Sequence, residues 1–153
     1  SIDSASALAD PRGAAVTLDH GFLQMPYLQR VVTDTHFDKR DRLGRLIVFV
    51  ARAAQDSGDP DMVGIGVDED TALCVEPDGQ ARVYSADGQG KVWVVRPGRG
   101  ADHLVDGEPL RFHAVPVTVV ASGGRLRLDD FQADVDDQML ADIDDGLIEL
   151  TRR

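Results

Sequence analysis

The sequence predicts an α/β fold: a parallel sheet flanked by helices, with an antiparallel β extension toward the C-terminus. Three observations predict it. The apolar pair Val31-Val32 marks a short buried strand ending near Asp34, and residues 62–67 read as a second buried strand. Between them Leu43, Leu46, Ile47, Val50, Ala51 and Ala54 recur at three- and four-residue spacings, one apolar stripe of a helix. Strand, helix and strand form a βαβ unit, whose crossover makes the two strands parallel. Beyond it, Asp78-Gly79, Asp87-Gly88 and Gly123-Gly124 punctuate short apolar runs, as hairpin turns do.

The elements follow in order. Residues 1–11 are small and polar, a loop with room for one short helical turn, and short apolar stretches follow at Val16-Thr17-Leu18 and Gly21-Phe22-Leu23. The helix runs from Lys39, with Asp38 placed to cap it by accepting from a first-turn amide. Ser57-Gly58-Asp59-Pro60 ends it. Short strands are predicted over 71–77, 81–86, 91–95, 110–112, 115–121 and 126–128. A last acidic helix over 134–150 is expected to bury Val135, Met139, Leu140 and Ile143, with Asp136, Asp137, Asp144 and Asp145 on its wet side.

Composition narrows the class. A chain of 153 residues makes one domain, and 42% apolar with 28% charged residues is ordinary for a globular protein. Cys74, the single cysteine, sits in the run Thr71-Ala72-Leu73-Cys74-Val75 and reads as a buried structural thiol. A net charge of −11 argues against nucleic acid or an anionic membrane as partner. No apolar run approaches the roughly 20 residues of a membrane span, and no signal peptide is recognisable; a cytoplasmic location is the expectation. The chain begins at Ser1 without a methionine, in polar sequence, as a processed fragment or a second subunit would.

The chemistry is concentrated in residues 33–46. His36 stands at a strand end, where open parallel sheets build their sites, and a helix begins almost at once. Arg42 and Arg45 lie three apart on one helix face, and Arg40 precedes them in the first turn. Cations there oppose the helix dipole, so they either bind carboxylates beside the histidine or pair with Asp34, Asp38 and Asp41 on a solvated face. Asp68, Glu69 and Asp70 read as caps of the next turn more readily than as a metal site, and His20, His103 and His113 as scattered surface histidines. Trp93, alternating within residues 91–95, reads as core.

Asp34-x-His36-Phe37-x-x-Arg40-x-Arg42-x-Gly44-Arg45-Leu46 resembles the D-Q-H-F-x-x-R-x-R-x-x-R-L segment of cyanophycinases. Residues 64–73, Gly-Ile-Gly-Val-Asp-Glu-Asp-Thr-Ala-Leu, are similar to the G-I-G-I-D-E-x-T-A-L strand and turn of that family. Weaker likeness extends to Gly21-Phe22-Leu23 and to the strands of residues 115–128.

The resemblance implies a serine peptidase of class I glutamine amidotransferase-like fold. It would hydrolyse β-aspartyl linkages of cyanophycin to release β-Asp-Arg dipeptides, with no metal or organic cofactor. His36 would be the catalytic base and acid of a Ser-His-acid triad, with Asp34, Thr35, Arg40, Arg42 and Arg45 binding substrate. Thr35 departs from the family's glutamine and cannot offer an amide's donors and acceptor together, which leaves a different substrate open.

No G-x-S-A-G-like elbow is present: Ser57-Gly58, Ser85-Ala86 and Ser122-Gly123 lack the glycine two residues before the serine. Residues 1–153 are therefore expected to be the C-terminal part of a single hydrolase domain. The nucleophile and the triad acid are expected upstream, in an N-terminal half present as a separate chain joined through a continuous sheet; a homodimer is compatible with this. The alternatives are Ser1 as an N-terminal nucleophile, a related peptidase of other specificity such as an aspartyl dipeptidase or a peptide-processing enzyme, and a catalytically inert structural subunit.

Overall fold

The computed structural model describes residues 2–19, 24–134 and 137–153, so Ser1, His20, the Gly21-Phe22-Leu23 stretch, Val135 and Asp136 lie outside the described residues. The order of elements is α1 (Ser4–Ala9), β1 (Val31–Thr35), α2 (Leu43–Ser57), β2 (Val63–Val67), β3 (Thr71–Val75), β4 (Gln80–Ser85), β5 (Lys91–Val95), β6 (Phe112–Ala121), β7 (Arg125–Arg127), β8 (Asp137–Asp144) and β9 (Leu147–Arg152). Six strands form one sheet in the order β1-β2-β5-β6-β8-β9, and β3-β4-β7 form a second.

The predicted βαβ unit is present: β1 and β2 pair in parallel, from Val31 opposite Val63 to Thr35 opposite Val67. Every other named pair in the large sheet is antiparallel. The sheet is therefore mixed and mostly antiparallel, not the parallel sheet expected. Parallel neighbours need a long crossover, and after α2 the described connections run through turns and loops without a further helix.

Three layers result. Leu46, Ile47, Val50 and Ala51 of α2, with Ala7 and Leu8 of α1, pack on one sheet face against Val95, Phe112, Val115, Val117, Ala141 and Ile143. The opposite face, carrying Val63, Ile65, Val92, Val94 and Val120, packs on Ala81, Val83, Leu126 and Leu128 from the small sheet and its margin. Each such Val, Leu, Ile or Phe side chain contributes roughly 1.5–3 kcal/mol relative to exposure, before the entropy of ordering it.

Three local expectations are corrected. The acidic segment after Asp134 is not a helix: β8 and β9 form a hairpin around Asp145 and Gly146, both at positive φ (47° and 75°). Met139, Ala141 and Ile143 alternate along β8, and period two with an Asp-Gly turn outweighs an approximate helical stripe. Cys74 is exposed rather than buried, because it lies on the outer face of the small sheet. Asp38 opens a single 3-10 turn (Asp38–Arg40), and α2 starts only at Leu43 with Arg42 at its cap position.

Candidate active site

The two ends of the parallel pair coincide, and that coincidence builds the site. His36 follows the last residue of β1 and Glu69 lies two beyond the last residue of β2. His36 Nδ1 is 2.9 Å from Glu69 Oε1, and the Glu69 carboxylate also pairs with Lys39. Lys39 first and His36 second hold the Glu69 carboxyl below its ordinary value. An ionised carboxylate only accepts, so Nδ1 is the donor, and in the neutral ring the lone pair is left on Nε2. The ring is partly open to solvent, with 43% of the side chain accessible.

Local packing fixes this geometry. A Cβ at Gly66 would stand 2.4 Å from Phe37 Cδ2, and one at Gly64 2.8 Å from Val50 Cγ2, so both glycines of the Gly-Ile-Gly run permit close approach to the strand. Phe37 is buried over Gly66 and tilts against Trp93 at 5.7 Å between ring centroids. Phe37 N donates to Val67 O at 3.2 Å. Asp68 Oδ1 accepts from Asp38 N (3.1 Å) and from Trp93 Nε1 (3.0 Å), while Oδ2 accepts from Lys91 N (2.9 Å). The turn carrying His36 is thus tied to β2 and β5 on both sides. His36, Asp41 and Asp70 all have positive φ (49°, 45° and 53°), conformations that non-glycine residues keep only where the surroundings impose them.

Beneath the histidine lies a buried charge cluster. Asp34 faces α2 and is 6% exposed, with Arg42 and Arg45 each 8% exposed. Arg45 Nε donates to Asp34 Oδ2 at 2.6 Å, its Nη2 to Oδ1, and its Nη1 to Ile2 O at 2.9 Å. Arg42 Nη1 donates to Asp34 Oδ1 at 3.2 Å and to the Thr35 carbonyl immediately before His36. Asp34 Oδ1 also accepts from Thr35 N at 2.9 Å. Two guanidinium groups on one carboxylate leave one formal positive charge without a carboxylate partner among the described residues. Thr35 and Arg40 are exposed, and among the described residues no ion pair involves Arg40.

The structure thus brings Asp34, Thr35, His36, Arg42 and Arg45 into one neighbourhood, with Arg40 on its solvent side. Sequence reasoning missed Glu69, Lys39 and Asp68 as parts of the same arrangement. The triad acid was expected upstream, yet a carboxylate of this chain contacts His36. The available signal was the βαβ unit itself, since parallel strands deliver the residues after them to the same end. The other described histidines build no such site: His103 Nε2 pairs with Glu108 at 2.7 Å and His113 Nδ1 with Asp102 at 3.0 Å, both at the surface. Among the described residues no three His, Cys, Asp or Glu side chains gather to hold a metal, and no helix is long and apolar enough to cross a membrane.

No family model matches the chain. Among curated proteins it is 36% identical to a cyanophycinase of Trichormus variabilis over 105 residues, covering 66% of this chain and 32% of that protein. It is 35% identical to a cyanophycinase of Synechococcus elongatus over 100 residues, 63% of this chain and 28% of the relative. A cyanophycinase of Geminocystis herdmanii is 29% identical over 129 residues, 81% of this chain and 43% of that protein. The chain spans about a third of the length of the curated relatives it matches.

Proposed function

We propose that this chain is the C-terminal part of a serine hydrolase of cyanophycinase type, in which His36 is the general base and acid and Glu69 its orienting carboxylate. The observation that carries the reading is the 2.9 Å contact between His36 Nδ1 and Glu69, which leaves Nε2 to serve a hydroxyl. The nucleophile would be a serine on a strand-to-helix elbow in a segment upstream of residues 1–153. His36 takes the proton of that hydroxyl as its oxygen attacks the scissile carbonyl, and returns it to the leaving amine. Water then attacks the acyl-enzyme, giving its proton to His36, and the serine recovers it as the acid product leaves.

The substrate proposed is cyanophycin, its poly-aspartate backbone cut between successive β-arginyl-aspartyl residues, which releases β-Asp-Arg dipeptides with their β-linkage intact. The uncompensated positive charge on the Asp34–Arg42–Arg45 cluster suits a substrate that presents carboxylates, and Arg40 and Thr35 are open to contact it. The outer edge of β1 is unpaired among the described residues, which suits a class I glutamine amidotransferase-like sheet continued by an N-terminal half. Thr35, in place of the glutamine in the resembling motif, favours a second reading: a related peptidase of different specificity.

The test is incubation of the complete protein with cyanophycin and with aspartyl dipeptides, alongside labelling by a fluorophosphonate. Release of β-Asp-Arg with a labelled serine outside residues 1–153 supports the proposal. Turnover of dipeptides alone moves the assignment to the second reading. Absence of both labelling and hydrolysis leaves a non-catalytic subunit.

A further inference from the structure

The outer face of the small sheet breaks a rule of strand pairing. Arg82 of β4 stands directly opposite Arg125 of β7, two cations where an antiparallel pair prefers opposite charges. Arg125 reaches Asp134 only at 4.0 Å, with both side chains more than half exposed, and among the described residues Arg82 has no ion-pair partner. Arg127, the next cation on β7, is by contrast held by Asp129 at 2.6 Å. Two guanidinium groups thus stand side by side with little compensation, on a chain of net charge −11.

The same face is recessed. β3 sets only Ala72 and Cys74 against Tyr84 and Arg82, so the longer side chains of β4 and β7 stand around a cavity of about 330 Å³. Tyr84, 53% exposed, borders it at one end. Glu76 borders it at the other, exposed and without an ion pair among the described residues. A cation pair, a phenol ring and a carboxylate around one recess complement a ligand that carries both an anion and a guanidinium.

We infer, resting on the hydrolase reading above, that this face is a second binding site for the polymer, holding repeats away from the bond being cut. Each β-Asp-Arg repeat carries one free carboxylate and one guanidinium. Arg82 and Arg125 offer that carboxylate paired N–H donors, and the ligand's charge relieves their repulsion. The guanidinium meets Glu76, or lies over the ring of Tyr84. Placement suits the role: Cys74 is five residues past Glu69, no more than about 17 Å of strand from the carboxylate that contacts His36. An extended backbone covers roughly 3.3–3.6 Å per residue, so about five repeats link the two places. Engagement at both raises the affinity for long chains over short ones.

The complete protein is tested with two probes: a fragment of about ten repeats, and one of two repeats, too short to reach from His36 to the small sheet. Arg82→Glu turns the like-charge pair into an opposite-charge one, so the sheet gains while the anion site is lost. Its Tm is expected to equal or exceed the parent's. For the long fragment KM is expected to rise about tenfold at constant kcat, and the dissociation constant from His36→Ala protein to rise equally. Values for the two-repeat fragment are expected to stay within about twofold. Hydrolysis of the long fragment with a KM indifferent to Arg82→Glu overturns the second site and leaves the hydrolase reading standing. Equal weakening of both fragments also overturns it, as does a long fragment that does not bind. Long-fragment binding that depends on Arg82 without any hydrolysis keeps the second site and removes the hydrolase reading instead.

Discussion

Nδ1 of His36 and Oε1 of Glu69 stand 2.9 Å apart although 33 residues separate them in the chain. The parallel register of β1 and β2 makes them neighbours: Thr35 is opposite Val67, so each residue lies one or two positions past the same sheet edge. The contact fixes which ring nitrogen holds the proton, and that choice decides whether the ring can act as a base.

Glu69→Gln tests the orienting role. A glutamine presents an amide N–H as readily as a carbonyl, so it no longer holds the Nδ1–H tautomer. In the complete protein kcat is expected to fall roughly 10³- to 10⁴-fold, as for the acid of other triads, with the circular dichroism spectrum unchanged. His36→Ala is expected to abolish hydrolysis. Near-normal turnover in either variant removes the triad assignment.

Asp68 positions the site without touching the ring. Its carboxylate gathers two backbone amides and the indole of Trp93, so Asp68→Ala leaves three donors without their acceptor. The expected cost is about 1–3 kcal/mol in chemical unfolding. Trp93 is the single tryptophan, and its emission is expected to shift in the same variant while kcat falls. Unaltered emission argues that the indole bond does not persist in solution.

Gly66→Ala drives a methyl group into the Phe37 ring from 2.4 Å. Phe37 is 1% exposed and has little room to retreat, so a loss of roughly 1–3 kcal/mol is expected from overpacking. Because Phe37 adjoins His36 in the chain, kcat/KM is expected to fall further than stability alone explains. Thermal melts and steady-state kinetics separate the two effects; a variant with a lowered Tm and full activity shows the histidine to be independent of Phe37.

The βαβ unit was legible because its signals agree: apolar runs at strand length, a stripe at helical spacing and a Ser-Gly-Asp-Pro stop. The last two strands were not, because Met139, Leu140 and Ile143 fit a helical stripe almost as well as alternation does, and their acidic neighbours look like a wet helix face. Asp145-Gly146 was the clue that decides it. Cys74 reads as buried in the sequence, yet is exposed, for a related reason. An apolar run shows that a strand exists but not which of its faces meets the core, and the small sheet turns Ala72 and Cys74 outward. At the site, His36 and the arginines were legible as residues, but their partners were not. Asp34 is consumed by Arg42 and Arg45 within the protein, and Glu69 reaches His36 only through the register of two strands.

Asp102 gives the fold a defined acid limb. Arg99 above all, with the backbone and ring of His113, holds its carboxyl down from 3.8 to about 2, against a smaller opposing effect of burial. A carboxylate with a depressed folded value contributes its full stabilisation above the unfolded value of 3.8, and loses it as pH falls toward about 2. Asp102→Asn is therefore expected to flatten the stability profile between those limits. Its side chain is 37% exposed, so solvent screening keeps the contribution below about 1 kcal/mol. Unfolding midpoints of the two proteins from pH 5 to pH 2 are expected to converge at the acid end; a constant offset throughout assigns the effect to packing.

Arg45 and Arg40 separate holding the fold from holding a substrate. Arg45→Ala strips Asp34 of its bidentate partner at a site where both side chains are at most 10% exposed, leaving a buried carboxylate half-compensated by Arg42. Breaking such a pair costs about 3–5 kcal/mol, so this variant is expected to lose stability before its kinetics can be read. Arg40 is exposed and carries no such burden, and Arg40→Ala is expected to leave the unfolding free energy within about 0.5 kcal/mol of the parent. If the arginines receive substrate carboxylates, Arg40→Ala raises KM several-fold at nearly constant kcat, the mark of a contact made equally in ground and transition states. An unchanged KM confines substrate recognition to residues deeper than Arg40. A stable Arg45→Ala protein with raised KM assigns the buried guanidinium to the substrate rather than to Asp34.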